Sequence, residues 1–151
     1  MKLIAYTDGA SRGNPGASGI GILIKSSDGS ILRSLNGFIG VTTNNVAEYK
    51  ALMACIQTAS ELRCTELAVY SDSELMVRQM NGQYKVKDAG LKVLHKKAIE
   101  LIARSRIRFS ISHIDRSENS EADQLANEAI DQKIPLAGFR VVEAKQESLF
   151  H

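Results

Sequence analysis

Most of the chemistries that announce themselves in a sequence are missing from this one. Only two cysteines occur in 151 residues, Cys55 and Cys64, with neither metal-ligand spacing nor the density of a disulfide scaffold, and their scarcity points to a reducing cytoplasm. No charged-then-apolar leader opens the chain and no apolar run approaches membrane-spanning length, so neither secretion nor insertion is expected. There is no cysteine–histidine set for zinc and no nucleophile elbow. Gly9, Gly13 and Gly16 lack the Gly-Lys-Ser/Thr that would complete a Walker loop. Charge of one sign is also lacking: a net +2 is too small to announce nucleic acid by itself.

What is present fits one domain, with 44% hydrophobic residues to fill one core. The charge, though small in sum, is uneven. Between Arg78 and Arg108 nine Lys or Arg (78, 85, 87, 92, 96, 97, 104, 106, 108) stand against two acids (88, 100), which reads either as a solvated helical face or as a face for phosphates.

Hydrophobic periodicity predicts strands at about 3–8, 18–25 and 31–39, joined by turns at the glycine-rich stretch and at Ser27-Asp28-Gly29. Helical spacing follows over 45–62, with Val46, Tyr49, Leu52, Met53, Ile56 and Ala59 on one stripe. A strand at 66–71, helices at 73–80 and 89–104, a strand at 107–113 and a helix at 120–131 complete the order βββαβααβα. Such an order predicts an α/β fold, a mixed sheet with helices on its faces.

Four carboxylates stand where these strands end or helices begin: Asp8, Glu48, Asp72 and Asp123. Tyr6-Thr7-Asp8 and Tyr70-Ser71-Asp72 share one form, and if their strands are parallel neighbours, period-two alternation turns both aspartates to one face. Each acid also has a structural reading. Asp8-Gly9 is turn chemistry, Asn45 and Glu48 can close a capping box, Asp72 can cap the next helix, and Asp123 can serve the helix dipole. Glu48 fits its structural reading worst, because it lies within about 40° of Leu52 and Cys55 on the helical wheel and leans toward the apolar side. Four carboxylates at one mouth raise each other's pKa, and a hard divalent cation relieves this. Magnesium takes oxygen ligands and suits phosphodiester hydrolysis, with a pair of ions about 4 Å apart.

The motifs Thr7-Asp8-Gly9-Ala10-Ser11, Gly13-Asn14-Pro15-Gly16, Thr42 to Tyr49, Ser71-Asp72-Ser73-Glu74 and His113 to Asn127, in that order, strongly resemble ribonuclease H of type 1 over about residues 3–131. The resemblance implies a ribonuclease H-like fold: a five-stranded mixed sheet whose first three strands form an antiparallel meander, with helices on both faces. It also implies that Asp8, Glu48, Asp72 and Asp123 bind two Mg²⁺, with Mn²⁺ as a substitute, and that the RNA strand of an RNA/DNA hybrid is cut to 5′-phosphate and 3′-hydroxyl ends. Gly9, Ser11, Asn14, Asn44, Asn45 and Ser73 match positions that meet the nucleic acid, asparagines suiting 2′-hydroxyls in the minor groove. Thr43 matches a residue that holds a DNA phosphate, whereas Val41 replaces the partner arginine of several members. Lys85 and Lys87 are candidate phosphate contacts.

With no tryptophan and a short passage from Gly82 to Lys87, the chain resembles the compact bacterial or archaeal-like subgroup without a basic protrusion. Arg116 matches the arginine that compact members use in the last loop, and His113 matches by count a mobile histidine tied to proton transfer and product release. A non-cleaving binding module and a junction-resolving nuclease are the competing classes; the first would usually have lost an acid, and the second would dimerise, whereas a monomer is expected here. The domain is expected over 1–133 and a tail over 134–151. In that tail Gln146-Glu147-Ser148-Leu149-Phe150 resembles the Gln-x-x-Leu-Phe motif that docks bacterial replication and repair proteins on the sliding clamp. Alternatively Leu149 and Phe150 fold back on the core.

Overall fold

Strand-forming runs carrying Ile and Leu build one five-stranded sheet in the computed structural model, which describes residues 1–135. The strands are β1 (Lys2–Arg12), β2 (Gly16–Ser26), β3 (Ile31–Thr42), β4 (Glu66–Ser71) and β5 (Arg108–His113). Helix α1 (Asn44–Glu61) follows β3, α2 (Glu74–Met80) and α3 (Ala89–Ser105) lie between β4 and β5, and α4 (Ser120–Gln132) closes the order after a single 3₁₀ turn, Arg116–Glu118. The sheet order is β3-β2-β1-β4-β5. β1, β2 and β3 pair antiparallel as a meander, while β1 with β4 and β4 with β5 are parallel.

The expected elements are all present, but the first strand is longer than its apolar run. β1 does not stop at Asp8. It continues to Arg12, paired with β2 through Arg12↔Ala17, so the glycine-rich turn begins four residues later than the apolar pattern indicates. What ends beside Asp8 is the parallel pairing with β4, whose last register pair is Thr7↔Ser71. Backbone pairing with β2 carries the stretch Gly9 to Arg12 that side-chain periodicity could not mark.

Alternation along the strands assigns the two faces. Leu3, Ala5, Ile20, Ile22, Ile24 and Leu35 are buried together with Leu52, Cys55, Ile56 and Ala59 of α1. Gly21, one residue from Ile20 and Ile22 and so turned to the opposite face, lies against α4, where a Cβ would overlap Ala122 O and Ala126 N. α1 and α4 therefore cover opposite faces. The small residues Ala122, Ala126 and Ala129, all fully buried, let α4 settle this close. α3 lays Leu91, Leu94, Ala98, Leu101 and Ile102 toward the α1 side at helical spacing.

Helix entry differs from the expectation at two places. Thr43, not Asn45, is the N-cap of α1, its hydroxyl accepting from the Val46 N–H at 3.3 Å. Ser73, not Asp72, caps α2, accepting from the Met76 N–H at 3.2 Å. Both caps leave the neighbouring acids free of capping work. After α4, whose C-cap is Lys133, Ile134 O accepts from the Phe38 N–H at 2.7 Å, and Pro135 bridges Phe38 in parallel. The expected docking residues Gln146, Leu149 and Phe150 lie outside the described residues.

Candidate active site

At the carboxyl end of the β1/β4 pair, Tyr6 and Tyr70 sit in register and stack with ring centroids 5.5 Å apart. The next residue but one after Tyr6 is Asp8 and after Tyr70 is Asp72, so parallel pairing turns both aspartates to the same face. Glu48 comes from the opposite face. It reaches the group because Gly9 has no side chain: a Cβ there would overlap the backbone of Ala47 and Glu48, so α1 lies directly on the strand. The Gly9 N–H then donates to Glu48 Oε1 at 2.8 Å in a buried bond. Glu48 thus closes no capping box; its carboxylate is turned inward to the sheet end.

One carboxylate oxygen from each of Asp8, Glu48 and Asp72 lies within 4.8 Å of the others. Asp8 and Glu48 are each only 4% exposed, and Asp72 is half-buried. Asp123, half-buried on α4, is outside this tight trio but lines the same cleft of about 460 Å³ together with Gly9, Ser11, Asn44, Ser73 and Arg116. α4 is tied down at its start by Asn119, which is buried and donates through Nδ2 to Thr7 O at 2.9 Å.

Burial drives the electrostatics. It pushes the Asp8 carboxyl up to about 10, with the charges of Glu48 and Asp72 and the nearby Asp123 adding to the effect. Burial also pushes Glu48 up to about 8, reinforced by Asp72 and opposed by the Gly9 N–H and the Arg116 guanidinium. Acids in this condition want a cation. The donor set is all oxygen, which suits a hard divalent ion better than a soft one; these residues fit such a metal.

The remaining sequence candidates divide into those at the cleft and those beside it. Arg116 lines the cleft on the 3₁₀ turn, whose capping box joins Asp115 and Glu118. His113 is exposed at the end of β5 and paired in register with Ser71; it is not among the cleft-lining residues. Asn14 Oδ1 accepts from the Asn44 N–H at 3.1 Å and so braces the entrance of α1. Ser11 Oγ donates to Thr42 O at 3.0 Å, joining β1 to the end of β3. Thr43 and Asn45 flank this entrance but are not cleft-lining residues. Lys85 and Lys87 are exposed between α2 and α3, likewise apart from the cleft lining.

Three residues escaped the sequence reading: Arg12, Asn119 and Asn127. Arg12 and Asn127 line the cleft. The available signals were weak ones: an asparagine one helical turn after Asp123, an arginine on the Asp8 face of β1, and an asparagine just before the helix.

The sheet order, the helices on both faces and the acidic cleft at the ends of the central parallel pair define the ribonuclease H-like class of folds. The family model described as reverse transcriptase-like matches residues 6–129. A ribonuclease H of Chlorobium phaeobacteroides is 38% identical over 145 residues, covering 85% of this chain and 95% of that protein. A bifunctional protein of Mycobacterium tuberculosis is 43% identical over 132 residues, covering 87% of this chain; the chain spans only 36% of that relative's length. Among solved structures, LC11-RNase H1 in complex with an RNA/DNA hybrid superimposes with a TM-score of 0.83 at 42% identity, covering 86% of this chain and 97% of that one. The chain belongs to the ribonuclease H family.

Proposed function

We propose that this chain is an endoribonuclease that hydrolyses the RNA strand of RNA/DNA hybrids, leaving 5′-phosphate and 3′-hydroxyl ends. The observation that carries the reading is the gathering of Asp8, Glu48 and Asp72 within 4.8 Å, beside Asp123 in an open cleft. Support comes from a 42% identical ribonuclease H1 solved with such a hybrid. Asp8, Glu48, Asp72 and Asp123 are the residues that would hold two Mg²⁺, or Mn²⁺ in their place. Bound there, the ions supply activation of the attacking water and charge stabilisation at the leaving oxygen.

The chain's own residues do the rest. Glu48, one oxygen committed to the Gly9 N–H, presents the other. Arg116 offsets the negative charge of the cleft and assists turnover at its rim; it is preferred to His113 because it lines the cleft. Gly9, Ser11, Asn14, Asn44, Asn45 and Ser73 are assigned to the nucleic acid near the cut, Thr43 to a DNA phosphate, and Lys85 and Lys87 to phosphates farther along the duplex. The enzyme acts as a monomer over a domain of residues 1–133. Its two cysteines, both unpaired and buried, suit the reducing cytoplasm.

An end-labelled cleavage assay comparing RNA/DNA hybrid, double-stranded RNA, single-stranded RNA and double-stranded DNA, with and without Mg²⁺, tests the reading. Cutting of the hybrid, and only with metal, is expected. Tight hybrid binding with no cleavage under any divalent ion would establish the binding-module alternative, and cleavage of branched DNA by a dimer the junction-resolving one. For the tail, Gln146, Leu149 and Phe150 are proposed to dock on a sliding clamp. A peptide of residues 143–151 should bind a bacterial clamp with a micromolar-range Kd, and replacing Leu149 and Phe150 with alanine should abolish binding while short hybrids are still cut.

A further inference from the structure

Asp123 differs from the other three acids in what holds it. One helical turn further along α4, the Asn127 amide Nδ2 donates to Asp123 O at 2.9 Å and to the Asp123 carboxylate Oδ1 at 3.3 Å. A bond from an asparagine to the carbonyl four residues back is an ordinary helical habit. The contact with the carboxylate is not part of that habit. On the other side, Arg12 Nη2 donates to Asn127 Oδ1 at 3.1 Å and to Asn127 O at 3.4 Å. Its Nη1 meets Asp131 Oδ1 at 2.5 Å.

The chemistry of these groups fixes the direction of the amide. A guanidinium only donates and a carboxylate only accepts, so Asn127 must turn its oxygen to Arg12 and its NH₂ to Asp123. Rotating the amide by half a turn would set oxygen against carboxylate and NH₂ against guanidinium. Arg12 stands two alternations after Asp8 on β1 and so emerges on the same face. Asp123, Asn127 and Asp131 occupy successive turns of α4. The strand that carries Asp8 therefore also carries, at its far end, the group that orients the holder of Asp123.

We infer that Arg12 and Asn127 form a positioning relay for Asp123, which sets the distance and direction of this carboxylate relative to the trio. The inference rests on the proposed reading of the cleft as the hybrid-cleaving site. Neither residue needs to touch substrate: Asn127 acts through Asp123, and Arg12 acts through Asn127.

The test is steady-state cleavage of a short RNA/DNA hybrid by the full chain and its Asn127→Ala, Arg12→Ala and doubly substituted variants, across a Mg²⁺ titration. With Asn127→Ala, kcat should fall about tenfold, as expected for loss of one charge-assisted hydrogen bond at the reacting centre, while KM for the hybrid is unchanged. The Mg²⁺ concentration for half-maximal rate should rise several-fold. Arg12→Ala should lower kcat less, roughly threefold, and the double variant should be no worse than Asn127→Ala alone, because both act through one carboxylate. In the absence of substrate, Mn²⁺ should raise the Tm of Asn127→Ala less than that of the parent.

Multiplicative losses in the double variant, or a raised KM with unchanged kcat for Arg12→Ala, would overturn the relay and make Arg12 a substrate contact. An unchanged kcat and Mg²⁺ dependence in Asn127→Ala would overturn it outright. Should Asn127→Ala fail to fold, Arg12→Ala, a change at a strand end whose side chain is 45% exposed, decides through the same kcat and KM comparison. Failure of the parent itself to cut the hybrid would instead overturn the reading of the cleft, and the relay with it.

Discussion

Glu48 and Asp123 approach the same cleft from helices on opposite faces of the sheet, and the protein secures them by different means. Glu48 is held by backbone. α1 rests directly on Gly9, the Gly9 N–H takes one carboxylate oxygen at 2.8 Å, and the side chain is 4% exposed. Asp123 is held by side chains on a half-buried helix turn, through an amide that is itself oriented by a guanidinium. Backbone support is rigid and can be lost only by a change that moves a helix. Side-chain support is adjustable and can be lost by deleting a few atoms. The trio is thus built into the fold, whereas the fourth acid is set by a network that the fold merely allows.

The largest effect expected from this difference is at the acid shared by both sides. Asp8→Asn keeps size and removes the charge at the centre of the trio, so cleavage should fall about a thousandfold or more while the protein still folds and binds hybrid. Asp123→Asn should cost less, on the order of tenfold to a hundredfold. Parallel rate measurements check the pair, and equal losses would break the distinction between trio and fourth acid.

Gly9→Ala attacks the backbone support. Its methyl group has to displace the Ala47–Glu48 backbone, which should destabilise the fold by about 2 kcal/mol, within the range for overpacking, and lower cleavage together with stability. Urea denaturation and the hybrid assay on one preparation would show it. A fully stable, active Gly9→Ala protein would mean that α1 does not need its close approach.

The buried support of Glu48 also has a signature in the pH dependence of stability. Asp8 is raised from its ordinary 3.8 to about 10 and Glu48 from 4.5 to about 8, so both bind their protons more tightly folded than unfolded. The stability tied to these groups is complete below about pH 4 and is lost as pH rises, for Glu48 up to about 8 and for Asp8 up to about 10. Without divalent ions, Tm should therefore decline between about pH 5 and about pH 8, and Mg²⁺ should flatten the decline. Glu48→Gln should flatten it as well. A metal-free Tm that climbs across this interval would contradict the burial-driven shifts.

The smallest effect lies away from both acids. Replacing Lys85 and Lys87, exposed between α2 and α3, with alanine should leave kcat nearly unchanged and weaken hybrid binding. The salt slope should drop by roughly 0.9 log units per log salt for each phosphate no longer neutralised, on a duplex-DNA scale. An unchanged slope would show these lysines to be an ordinary solvated surface.

Legibility in the sequence followed the physics of each feature. The helix α1 was readable from the spacing of Tyr49, Leu52, Ile56 and Ala59, because burial on one stripe leaves a 3.6-residue trace. The register of Asp8 and Asp72 was readable from the repeated Tyr-x-Asp form. The length of β1 was not, because its last residues, Gly9 to Arg12, are held by backbone pairing with β2 and carry no apolar alternation. The N-caps fall one or two residues from their expected positions for a similar reason. Thr43, Asn44 and Asn45 are all competent to cap, and which one does so depends on where α1 meets Gly9.

Residue type and spacing alone set the chemistry available to this protein: four carboxylates at strand and helix ends, no cysteine–histidine set at metal-ligand spacing, and a hydrophobic pattern that leads to a mixed sheet with helices on both faces. Those properties are local and can be read along the chain. Tertiary packing was needed to bring three of the acids within 4.8 Å with the fourth beside them, to place Arg116 and not His113 at the cleft, and to make Arg12 and Asn127 part of it at all. The placing of α4, and with it of Asp123 and Asn127, depends on pairs of residues more than a hundred positions apart, such as Arg12 with Asn127 and Thr7 with Asn119. Such pairs arise from the packing of α4 on the meander and leave no periodic trace along the chain.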